Sequence, residues 1–144
     1  MNTNTLPDAE KRIGSLLYDA LKKVPNVIAV YLFGSYAEGR AKDTSDLDLA
    51  FLLDAKARKE DLTEDVGPVY TVSVQIGTKL GVQTDVTVLN DSSIEMAYEI
   101  VTQGRCIYDA DSDRRLEYES RVKGMYFDFR PFLEKLRADT IARI

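Results

Sequence analysis

Residues 27–53, VIAVYLFGSYAEGRAKDTSDLDLAFLL, decide how the rest of the chain is organised. Val27–Phe33 is almost continuously apolar, the pattern of a strand covered on both faces. It stops at Gly34-Ser35, and a polar, charged stretch from Tyr36 to Ser45 leads to a second strand opening with Asp46-Leu47-Asp48. Residues two apart on a strand share a face, with α-carbons roughly 6.5–7 Å apart. Asp46 and Asp48 therefore lie together, and Leu47, Leu49, Phe51 and Leu53 go to the other face. Paired carboxylates repel unless a cation offsets them, and hard oxygen ligands favour Mg²⁺ or Mn²⁺ over zinc. Gly34 lets backbone approach a ligand closely. Ser35 adds a hydroxyl beside amides freed where strand becomes turn, a setting that suits a phosphate. The combination implies nucleoside triphosphate chemistry.

Upstream, Asp8 after Pro7 is positioned to cap a helix whose face is Ile13, Leu16, Leu17, Ala20, Leu21 and Val24, ended by Pro25-Asn26. Downstream, residues 54–68 are charged and lack apolar periodicity, which predicts a surface loop with a short helical turn. Between Val66 and Leu80 the pattern fits both periods: Val69, Val72, Ile76 and Leu80 at helical spacing, Val72, Val74 and Ile76 in strand alternation. Gly81 as a stop favours the helix. Thr84–Leu89 alternates cleanly, with Val86 and Val88 on one face and Asp85 and Thr87 on the other. Ser92 and Glu95 have capping-box spacing for a helix faced by Ile94, Ala97, Tyr98 and Val101 and closed by Gly104. A short strand over 105–108 follows, in which Arg105 is either a nucleotide contact or a solvated strand end. From Asp111 one long helix is expected, with Leu116, Val122, Met125, Tyr126, Phe129 and Leu133 at helical intervals and Pro131 bending or breaking it. Residues 125–132, MYFDFRPF, hold four aromatics, more than one helix face hides, which points to a partner or self-association surface.

The 144 residues suit a single domain large enough for a real core. With 44% hydrophobic and 30% charged residues the composition is that of a soluble globular protein. A net charge of −5 argues against a surface built to hold a nucleic-acid backbone. One cysteine, Cys106, excludes an intramolecular disulfide and a cysteine-cluster zinc site, and reads as a small buried hydrophobe. The absence of histidine excludes Ser-His-Asp and Cys-His catalysis and every histidine-bound metal. A general base here has to be a carboxylate, a tyrosine, a lysine or metal-bound water. No apolar run approaches the ~18 residues of a membrane span, and the start MNTNTLPDAEKR lacks a signal-peptide core, so the expectation is a cytoplasmic protein.

Gly34-Ser35, ten residues, Asp46-x-Asp48, and a further strand aspartate at Asp85 resemble the nucleotidyltransferase superfamily of polymerase β type. The small size and the wording of the motif are most similar to its minimal nucleotidyltransferases (MNT), many of which are antitoxins paired with HEPN toxins. The resemblance covers roughly residues 27–109 and implies an α+β fold, a small mixed sheet flanked by helices with a C-terminal helix. Residues 1–144 would form one nucleotidyltransferase domain, with a core of about 8–110 and a helical extension of about 111–144. It implies that Asp46, Asp48 and Asp85 are the catalytic, metal-holding carboxylates, and that Gly34 and Ser35 cradle the triphosphate. The family commonly places a basic residue where Glu38 stands; here Arg40 follows Gly39, and it either takes over the triphosphate contact or is a solvated charge. The implied activity is Mg²⁺-dependent transfer of AMP from ATP to a tyrosine of a HEPN ribonuclease toxin, without direct nucleic-acid or membrane binding. Alternatives are adenylylation of a small molecule such as an aminoglycoside, for which the 34-residue helical tail leaves little room, and an antitoxin that acts by binding alone. DNA polymerisation fits least.

Overall fold

A computed structural model describes residues 6–39, 41, 45–55 and 62–143, with the backbone alone at 6–7 and 62–65. Among the described residues four strands and four α-helices follow in the order α1 (Leu6–Ala20), β1 (Val27–Phe33), β2 (Leu47–Leu53), α2 (Leu62–Leu80), β3 (Thr84–Val88), α3 (Ile94–Gln103), β4 (Arg105–Asp109) and α4 (Ser112–Ala142). Short 3-10 turns over Leu21–Lys23 and Leu89–Asp91 extend α1 and lead out of β3. The sheet order is β3-β2-β1-β4. β1 runs antiparallel to both neighbours, whereas β2 and β3 are parallel and therefore need the α2 crossover between them.

The two sheet faces carry separate apolar cores. Leu47, Leu49, Phe51 and Leu53 of β2 join Val30 and Leu32 of β1 beneath α1 and α2. Ala50 and Leu52 join Ala29 and Tyr31 beneath α3 and α4. The alternation expected of β2 is thus realised, and it assigns Asp46 and Asp48 to the α3/α4 face. α2 settles the ambiguity of 66–80: Val69, Val72 and Ile76 are all buried while Val74 is exposed, which is helical and not strand periodicity. Its end is also as expected, with Gly81 at φ +71° and the Val82 amide donating to the Gly77 carbonyl at 2.9 Å.

Several boundaries differ from expectation. α1 already begins at Leu6, so Asp8 sits in its first turn and not at its cap. α2 begins at Leu62 and passes through Pro68, so the latter part of the supposed 54–68 loop is helix; Pro68 falls in its second turn, past the first-turn positions whose amides have no helical partner, and it forgoes one helical hydrogen bond. The cap of α3 is Ser93, whose hydroxyl accepts from the Met96 amide at 3.1 Å, while Ser92 binds the Leu89 carbonyl. α4 runs unbroken through Pro131, which lies on its exposed side. Its inward residues are Tyr118, Val122 and Tyr126, and of the apolar positions read from the sequence only Val122 is fully buried.

Polar contacts supplement that narrow apolar footing of α4. Asp111 caps it by accepting from the Arg114 amide. The Tyr31 hydroxyl, in the middle of β1, donates to Glu119 at 2.6 Å, and Arg115 donates to Asp109 at 2.8 Å and Glu119 at 3.1 Å. Burial first, and then the Glu119 carboxylate, push the Tyr31 hydroxyl pKa up, so it stays a donor at every physiological pH. Farther along, Tyr126 stacks on Tyr98 of α3 with centroids 3.7 Å apart. None of the helices among the described residues is long and apolar enough to cross a membrane.

Candidate active site

The site lies where β1 ends and β2 and β3 begin. Strand register does most of the positioning: Phe33 of β1 faces Asp48, and Asp48 faces Asp85 across the parallel β2/β3 pair. The Leu47 amide donates to the Gln83 carbonyl at 2.8 Å, which locks that register one residue before the two aspartates. β3 is in turn held to α2, where the Thr84 hydroxyl donates to the Ser73 carbonyl at 3.2 Å. A Cβ on Gly77 would lie 2.6 Å from the Val82 carbonyl oxygen, so helix and strand entry touch backbone to backbone.

Gly34 closes β1 with φ +71°, and a Cβ there would collide with the Asp48 carboxylate. Two independent requirements, a left-handed backbone and space for Asp48, therefore fall on one residue. Ser35 follows in a tight turn in which the Glu38 amide donates to the Gly34 carbonyl at 3.2 Å and the Gly39 amide to Tyr36 at 3.4 Å. Tyr36 and Ala37 pack against the α1/α2 core, which anchors the turn that follows Gly34. Arg40 lies outside the described residues, as do Lys42, Asp43 and Thr44.

Asp48 is half-buried, and its carboxyl is pushed above the usual carboxylate range. Burial contributes most, followed by the charges of Asp85 and Asp46 and by a hydrogen bond between Asp48 and Asp85. A hydrogen bond between two carboxyls requires a proton on one of them, so burial and repulsion together make the Asp48 proton harder to remove. Asp46 stands beside them, exposed, on the same face of β2. The arrangement suits a hard divalent cation: such an ion replaces the shared proton and relieves the repulsion that raises the Asp48 pKa. Among the described residues no three carboxylate side chains already converge as a complete ligand set, so the fit rests on the Asp48–Asp85 contact with Asp46 adjacent.

Arg105 donates to Glu10 of α1 at 2.9 Å, so it is an ion-paired edge residue. A residue with no sequence signal is Asn90. Its carboxamide accepts from the Leu53 amide at 2.9 Å and donates to the Leu53 carbonyl at 2.8 Å, imitating a strand neighbour at the far end of β2. An apolar groove of about 620 Å³ runs between α2 and the free edge of β3, lined by Val66, Tyr70, Val86 and Val88. The three aspartates do not line it, so its size says nothing about the chemistry.

The family described as polymerase beta, nucleotidyltransferase, matches residues 17–113. The chain is similar to protein adenylyltransferase MntA of Shewanella oneidensis, with 30% identity over 107 residues, 74% of this chain and 70% of that protein. It superposes on a chain from a toxin–antitoxin crystal structure with AMP-PNP at a TM-score of 0.69 and 25% identity, covering 92% of this chain and 98% of the other. A structure of a tri-AMPylated Shewanella oneidensis HEPN toxin in complex with MNT antitoxin gives a TM-score of 0.65 at 23% identity, covering 95% and 99%, and shares the fold.

Proposed function

We propose that this chain, which belongs to the polymerase β-type nucleotidyltransferase family, transfers AMP from ATP to a tyrosine hydroxyl of a HEPN-family toxin and thereby silences it. The observation that carries this reading is the contact of Asp48 with Asp85 above a glycine that has to lack a side chain. An interface would not need two repelling carboxylates held together. The similar MntA protein is a protein adenylyltransferase, and the 25% identical chain was crystallised as a toxin–antitoxin with an ATP analogue.

Asp46, Asp48 and Asp85 would hold Mg²⁺ or Mn²⁺, which when bound neutralises the triphosphate and the pyrophosphate leaving group. The chain's own residues do the rest. Gly34 brings backbone up to the triphosphate, and the Ser35 hydroxyl donates to a phosphate oxygen. Asp85, at the start of an edge strand, takes the proton of the acceptor hydroxyl as its oxygen attacks the α-phosphorus. The new phosphorus–oxygen bond forms as the bond to the bridging oxygen breaks, and pyrophosphate departs. Arg40 is placed by sequence alone as a further positive charge for the leaving group.

The test is intact-mass spectrometry of a HEPN-family protein encoded beside this chain after incubation with this protein, Mg²⁺ and ATP. Mass increments of AMP that vanish with Asp46→Asn/Asp48→Asn support the reading. Suppression of toxicity by that double variant with no mass change would overturn it in favour of neutralisation by binding. Asp85→Asn should lower transfer by about 100-fold or more while ATP affinity stays nearly unchanged. Equal loss of both would remove the proton-accepting role.

A further inference from the structure

We propose that the second half of α4 is a docking seam for one amphipathic helix of the acceptor protein. This rests on the protein-modifying reading above and adds the surface that brings the acceptor to the enzyme. Met125, Phe129, Phe132 and Leu136 follow one another at intervals of four, three and four residues. At about 100° per residue these four side chains fall within about 60° of one another, the spacing of a helix–helix seam. All four are exposed, by 40, 46, 58 and 47%. The stripe begins earlier, with Tyr118 and Val122, which pack on the sheet's α3/α4 face. Beyond Val122 the same stripe continues outside the two apolar cores. Phe127 and Ile141 are exposed off this stripe.

The overhanging half is held in place by its other side. Tyr126 stacks on Tyr98, Phe127 meets Tyr98 edge-on at 6.1 Å, and Arg137 reaches Glu95 at 2.6 Å. The aromatic contacts matter more than the ion pair, which is exposed and worth roughly 0–1 kcal/mol. Pro131 lies about 120° from the seam and leaves it uninterrupted. The result is a fixed ridge roughly 16 Å long at 1.5 Å per residue.

The spacing calls for a helix, since knobs at three and four residues fit holes of the same period. Size identifies whose helix it is. A second copy would offer only four seam residues a side, short of the ~800 Å² per partner of a standard interface. The acceptor protein has also to reach the three carboxylates, so it contacts this chain over more than the seam. Arg121 and Lys135 on the seam's flank are balanced by Asp128 and Asp139, so the apolar residues and not net charge select the partner helix.

The HEPN-family protein encoded beside this chain, in titration calorimetry, is the probe. Phe129→Glu/Phe132→Glu is expected to raise Kd roughly 100-fold or more with the thermal midpoint of this chain unchanged, because both side chains are exposed. Wild-type affinity in the Phe129/Phe132 variant overturns the seam and leaves the transfer reading standing. A wild-type chain that does not bind the HEPN protein overturns both. A dimer of this chain alone, lost in the Phe129/Phe132 variant, assigns the seam to a second copy and overturns the choice of occupant.

Discussion

Asp48→Asn should make the isolated protein more stable while abolishing transfer. Asp48 is half-buried, and its pKa is raised by that burial and then by the charges of Asp85 and Asp46. Raising an acid's pKa on folding means the native state binds its proton more tightly than the unfolded chain does. Stability from this group is therefore fully present below the unfolded aspartate pKa of about 3.9 and is lost as pH rises through the higher folded value. At neutral pH the native protein carries the repulsion. Two unit charges roughly 4 Å apart interact by about 1 kcal/mol in bulk water and about 4 kcal/mol at an effective dielectric of 20. A half-buried site at the sheet edge belongs nearer the lower figure, so removing the charge should stabilise by about 1–2 kcal/mol. At roughly 3 °C per kcal/mol for a chain of this size, the melting point should rise by about 3–6 °C. Asparagine keeps the shape and still donates a hydrogen bond to Asp85.

The assay is thermal unfolding of wild type and Asp48→Asn from pH 3.5 to 8, with and without millimolar Mg²⁺. The gap between them should be widest at neutral pH and close towards pH 3.5, where the wild-type carboxyl is protonated. Mg²⁺ should raise the wild-type midpoint, since a ligand of the native state alone stabilises by RT ln(1 + [L]/Kd), and should leave the variant unmoved. A variant less stable than wild type at pH 7 would refute the electrostatic reasoning. Equal stabilisation of both by Mg²⁺ would place the cation elsewhere.

Two further substitutions test the frame around the carboxylates. Gly34→Ala meets a left-handed backbone, costing about 1–2 kcal/mol, and the Asp48 carboxylate as well. It should lose transfer activity out of proportion to its change in midpoint, and near-normal transfer would mean Asp48 is not held where the strand register puts it. Asn90→Ala removes both hydrogen bonds to the Leu53 backbone. At about 1 kcal/mol each, with an unpaired backbone amide left behind, the loss should be about 2–3 kcal/mol by urea unfolding. A loss below about 0.5 kcal/mol would show that water replaces the carboxamide without penalty.

What was legible in the sequence is what local periodicity controls. Strand alternation assigned Leu47, Leu49, Phe51 and Leu53 to one core and Asp46 and Asp48 to the opposite face because β2 is central and covered on both sides. Asp85 was legible as a candidate only through the family pattern, since on its own it is one aspartate on an alternating strand. Its pairing with Asp48 depends on a parallel register that no short-range pattern encodes. Helix starts were misplaced for a related reason. Ser92 and Ser93 are both competent caps, and the preceding 3-10 turn, which engages Ser92 through the Leu89 carbonyl, leaves the capping to Ser93. Asn90 left no trace at all, because a side chain that imitates a strand neighbour is recognisable only once both backbones are placed.

α4 shows what a helical period does and does not say. Leu116, Met125 and Phe129 recur at helical intervals and all three are exposed, and residues 125–132 hold more aromatics than one face hides. A helical stripe states that something covers it without stating what. Over Tyr118 and Val122 the cover is the chain's own sheet; over Met125 to Leu136 the same stripe has outrun it. Nor did Pro131 end the helix. Its ring sits on the solvent side, where the carbonyl it leaves unpaired is free to meet water, so the usual penalty is reduced. A helix continuous through Pro131, rich in exposed aromatics and pinned sideways through Tyr98 and Glu95, is difficult to explain as packing. On the proposed reading, in which α4 docks a protein acceptor, each of those features has a reason.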